Sequence, residues 1–130
     1  MDTERPRTNV SQAFMDNFKV EQERFLAAQA QFKAGYLFQG IVAASFITSM
    51  FYLLPASRYI VKNEDEAKKY VDDLDAFRLE AFRFARIKGV SNPTPNLQLP
   101  LTEDYMRLDD KLDALVRKFY KIMFETGFSP

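Results

Sequence analysis

The sequence predicts an all-α chain. One long N-terminal helix begins amphipathic and ends as a single transmembrane span, and a two-helix domain follows it. Three observations lead there. Apolar side chains recur at 3–4 spacing on both sides of the chain's middle, the period of a helix face. The run AGYLFQGIVAASFITSMFYLLPAS, residues 34–57, holds no charged side chain between Lys33 and Arg58. The Pro-rich stretch VSNPTPNLQLP then separates the last two helices.

The first element starts near Asn9 or Ser11, either of which suits a helix N-cap. It runs to Ala34 without Gly or Pro. Phe14, Phe18, Phe25 and Phe32 fall close to one stripe, the last three at heptad spacing. This stripe has no evident partner in the chain, so it reads as a partner-binding face. With only Gly35 between stripe and apolar run, one continuous helix over 11–54 is expected, with Pro55 ending or kinking it.

The 24 uncharged residues of 34–57 rise about 36 Å, enough for a hydrocarbon core of about 30 Å. Tyr36 and Tyr59 sit where aromatic rings favour the headgroup level, and Lys33, Arg58 and Lys62 are placed to reach phosphates. Gly40, Ala44 and Thr48 form a small-xxx-small stripe, and Gln39 beside it needs a polar partner. Together they predict a packing face for another transmembrane helix. The competing reading is a buried helix in a soluble bundle, for which so long an uncharged run is unusual.

Beyond the span, Asn63 and Glu66 form a capping-box pattern. Ala67, Tyr70, Leu74, Phe77, Ala81 and Phe84 make the next stripe, and Gly89 suits the C′ position. Residues 90–101 read as an extended strap, because Pro cannot donate to a strand ladder. Thr102 caps the last helix, whose stripe holds Tyr105, Leu108, Leu112, Val116, Phe119 and Ile122. The organisation is therefore 1–33, a polar tail and amphipathic helix; 34–57, the span; and 58–130, a helical hairpin with the strap at 90–101. Leu79, Phe82, Ile87 and Phe124 fall outside the stripes and are expected to meet other chains. The basic group Arg78, Arg83, Arg86 and Lys88 reads as a helix end complementing its dipole, with anionic lipid as the alternative.

Composition bounds the function. The chain has 130 residues, with 18 basic and 18 acidic side chains, so it carries no net charge to attract nucleic acid. Its mean hydropathy of −0.29 hides an apolar block between charged flanks. Cys and His are absent, which removes thiolate and imidazole metal sites, Cys nucleophiles and His bases. No cofactor motif, catalytic set or small-molecule site emerges. Asp72, Asp73 and Asp75 form the one acidic cluster worth naming, and such carboxylates are usually solvated.

The expected function is that of a non-catalytic accessory subunit of a large mitochondrial inner-membrane complex. A respiratory-chain complex is preferred, with the ATP synthase membrane region as the alternative. Its partners would be neighbouring subunits and phospholipid, with cardiolipin as the candidate lipid. A second class is a single-pass tether that binds partners through the Phe stripe. A third, an enzyme using a carboxylate or Lys, lacks a constellation.

Overall fold

A computed structural model describes residues 12–57 and 64–125. Expectations for Arg58, Tyr59, Lys62 and Asn63, and for the side chains of Phe14 and Phe124, lie outside the described residues. Four helices follow in order: α1 Gln12–Lys33, α2 Leu37–Ser57, α3 Glu64–Ile87 and α4 Glu103–Glu125. They are of matched length, 22, 21, 24 and 23 residues. Each therefore runs about 31–36 Å, the full height of a bundle.

The single long helix over 11–54 does not form. Gly35 adopts φ of 104°, a left-handed conformation open to Gly at little cost. Its N–H bonds Phe32 O at 2.9 Å and the Tyr36 N–H bonds Gln31 O at 3.2 Å. These are the paired bonds of a Schellman C-cap, which satisfies the last carbonyls of α1 and turns the chain. The same pattern ends α3, where Gly89 has φ of 87° and Val90 N–H reaches Ala85 O at 2.9 Å. α2, by contrast, continues two residues past Pro55, so that Pro does not stop the helix.

Cross-helix contacts fix the directions. Phe32 packs over Gly40 between α1 and α2. Arg78 meets Thr48, and Phe51 meets Tyr70, between α2 and α3. Lys88 pairs with Asp104, and Lys118 with Glu66, between α3 and α4. Phe25 meets Phe119, and Lys33 meets Asp109, between α1 and α4. Every neighbouring pair is antiparallel, which makes an up-down-up-down four-helix bundle.

One hydrophobic cluster draws on all four helices, so α3 and α4 share the core of α1 and α2 and do not form a hairpin with a core of its own. The Phe stripe lies inside it. Phe18, Phe25 and Phe32 are at most 2% exposed, which withdraws them as a partner-binding face. Phe119 is their hub at one end, stacked on Phe18 and edge-on to Phe25 and Phe51. At the other end Phe32 meets Phe77 and Tyr105, and Phe84 meets Tyr105.

The expected single span at 34–57 finds no support in the fold. Among the described residues no helix is long and apolar enough to cross a membrane. Leu37, Ile41, Ala43, Ala44, Ile47, Met50 and Phe51 of α2 are buried against the other helices. Ser45, Ser49 and Tyr52 are exposed. Polar groups thus point out and apolar groups in, the reverse of what lipid demands. The Arg78 guanidinium also lies against the midpoint of α2, where a bilayer would penalise a charge by about 3 kcal/mol.

Candidate interaction surface and buried polar cluster

The residues chosen as a helix-packing face are engaged within the chain. A Cβ on Gly40 would lie 2.6 Å from the Phe32 ring, so only Gly lets α1 and α2 approach this closely. Ala44 is fully buried. Thr48 donates its hydroxyl to Ala44 O and accepts a hydrogen bond from Arg78 at 3.0 Å. Gln39 is half-buried. The close approach is therefore made to α1 and α3, and not to a helix of another protein.

The headgroup residues have similar fates. Tyr36 is half-buried and bridges Gln98 of the strap through its backbone. Lys33 forms the centre of a polar cluster between α1 and α4. Its Nζ lies 2.8 Å from Asp113 and 3.3 Å from Asp109, and Gln29 donates to the other oxygen of Asp113 at 2.7 Å. Burial pulls the Lys33 ammonium down, but the hydrogen bond to Asp113 and the charges of both aspartates outweigh it and hold the group above 10.5. Asp109 is 5% exposed, and its desolvation outweighs the Lys33 charge, so its carboxyl is raised.

Asp109, Asp110 and Asp113 bring carboxylate oxygens within 4.8 Å of one another, close enough for a cation. The Lys33 ammonium already supplies the counter-charge there. The cluster acts as a polar peg that fixes the register of α1 on α4, since Gln29 and Lys33 of α1 meet Asp109 and Asp113 of α4 there.

Two buried tyrosines perform the same task. Tyr70 donates to Leu115 O, and Tyr105 donates to Phe32 O. Burial pushes both phenols well above their usual range. The basic group foreseen at the end of α3 is split. Arg78 pairs with Asp75 and leans on α2, while Lys88 pairs with Asp104 at 2.9 Å and covers the Phe84 ring. The Thr102 carbonyl accepts a hydrogen bond from Met106 N–H, the first bond of the α4 ladder. The Thr102 hydroxyl donates to Asp104, which with Lys88 draws that carboxyl down to about 2.

Several large apolar side chains stay exposed, among them Val20, Leu26, Tyr52, Leu101 and Met106, and three share the outer side of α3. Leu79 is 56% exposed, Phe82 37% and Ile87 80%, large apolar side chains that the core does not use. Arg83 and Arg86 beside them are exposed and have no ion pair among the described residues. Exposed Phe and Arg together are the composition of interfaces more than of bare surface. The acids Asp72, Asp73 and Asp75 lie at the exposed N-terminal half of the same helix. The sequence matches no protein-family model, no curated protein and no solved structure.

Proposed function

We propose that this chain is a non-catalytic structural module whose work is assembly. The observation that carries the reading is where the polar groups of the interior go. Gln29, Lys33, Asp109, Tyr70 and Tyr105 each spend their hydrogen-bonding capacity on another helix of the bundle. A catalytic acid or base needs a group held within reach of a substrate proton. These groups instead reach backbone carbonyls and one another. The exposed apolar and arginine residues of α3 supply the complementary half: a surface suited to another protein.

The accessory-subunit class fits this reading without a bilayer. The inner-membrane placement draws on analogy with such subunits and on a span at 34–57, and no described helix is long and apolar enough to supply that span. Native extraction followed by stoichiometric mass measurement tests the proposal. The expected result is the chain in a defined assembly at fixed stoichiometry. A free monomer in the extract, with no stoichiometric companion, would refute it.

A further inference from the structure

We infer that the outer face of α3 binds a second copy of this chain, antiparallel, about a two-fold axis near Leu79. The inference rests on the assembly reading above and names the partner for it. The face is self-complementary. Its seam runs Asp72, Ala76, Leu79, Arg83 and Arg86 at alternating steps of four and three residues, with Asp75 and Phe82 alongside. All of these side chains are exposed. Asp72 and Asp75 lie on the N-terminal side of Leu79, with Lys68 one turn beyond Asp72; the arginines lie on the C-terminal side and the apolar residues in the middle.

Antiparallel pairing lays the acids of one copy on the arginines of the other, twice over, and stacks Leu79, Phe82 and Ala76 at the centre. Parallel pairing sets acid on acid and arginine on arginine, which costs energy. A two-fold contact uses the same patch on both partners, and this patch carries both halves of the required pattern. The bundle leaves most of it open: Asp75 already pairs with Arg78 at its edge, and the pairs between α3 and α4 (Glu80 with Lys111, Lys88 with Asp104) and the Arg78 contact with α2 lie on its flanks.

The chain has no cysteine, so single substitutions report proximity cleanly. The purified full chain is sedimented, and Asp72→Cys, Leu79→Cys and Arg86→Cys variants are oxidised separately and mixed. The expected results are a mass of twice 15.1 kDa, cross-linking of Leu79→Cys with itself, and cross-linking of Asp72→Cys with Arg86→Cys only when the two are mixed. Leu79→Glu, at an exposed position, is expected to give a folded monomer with unchanged helicity. Arg83→Glu with Arg86→Glu is expected to weaken the dimer at least about tenfold. A wild-type monomer at about 100 μM, a dimer indifferent to Leu79→Glu, or self-cross-linking of Asp72→Cys would each overturn the inference. A monomer of pure chain alongside a defined heteromeric assembly in extracts would sink this dimer and leave the assembly reading standing.

Discussion

Gly40 and Phe32 set the spacing of the first two helices. A Cβ at Gly40 would sit 2.6 Å from the ring, and the ring is fully buried with little room to yield. Gly40→Leu is therefore expected to cost about 3 kcal/mol or more, read as a lowered urea midpoint of the isolated chain. Equal midpoints would mean that α1 and α2 sit farther apart. Gln22 presents the opposite case. Its Oε1 is buried without a hydrogen-bond partner among the described residues, and a lone carbonyl out of water is unfavourable. Gln22→Met should stabilise the chain by about 1 kcal/mol, visible as a higher melting temperature. Lys33→Met would strip Asp109 of its counter-charge. The loss is expected near 2 kcal/mol, tempered because the Lys33 side chain is 45% exposed. Adding Asp109→Leu should recover most of it, since an apolar pair leaves no buried charge behind.

At the scale of elements, the two glycine caps differ in a way that can be measured. Both have positive φ, but a Cβ on Gly35 would lie 2.4 Å from Leu99 O, whereas Gly89 faces open space. Gly89→Ala is expected to cost about 1 kcal/mol, for the backbone conformation alone. Gly35→Ala should cost clearly more, because the strap must also retreat. Equal losses in denaturant titrations would contradict the role given to the strap. The stripes of α3 and α4, and the cap at Gly89, were legible because each is a local pattern. The break at Gly35 was not. The sequence there is Lys-Ala-Gly, a basic last turn followed by a C′ glycine, which is the signal read correctly at Gly89. Apolar residues continue beyond it, and they masked the stop. The contacts that fix the turn come from far away: Leu99 N–H bonds Gly35 O, and Gln98 bonds Ala34 O across 64 residues. Without that turn the Phe stripe has no visible partner in the sequence, and the uncharged run after it reads as a span. The polar peg was hidden for the same reason. Asp113 stands four residues before Arg117, a spacing that favours a local pair, yet its carboxylate turns across the bundle to Lys33.

For the whole molecule, the shared core implies that the helices unfold together in one transition. Among the described residues its alkaline limit follows from four groups. Tyr70, Tyr105 and Tyr120 are raised above the ordinary 10.0, and Lys33 above 10.5. Each binds its proton more tightly folded than unfolded, so stability is complete below the unfolded value and falls as pH climbs beyond it. Melting temperature should hold steady near neutrality and decline from about pH 10 upward. Tyr105→Phe should lose about 1 kcal/mol at pH 7 yet decline less steeply above pH 10. A wild-type melting temperature unchanged at pH 11 would contradict the burial of these phenols.

The tight reversal at Gly35 has a kinetic consequence. It brings two long helices together across three residues, so their shared surface zips without a large loop to close. Successive helices in this bundle are spatial neighbours throughout. The distant encounters are those of α4 with α1 and α2 and of the strap with the Gly35 turn. Such wiring has low contact order and belongs with chains that fold in microseconds to milliseconds. The turn is a natural starting point for that search, and substitutions beside it should slow refolding more than they hasten unfolding.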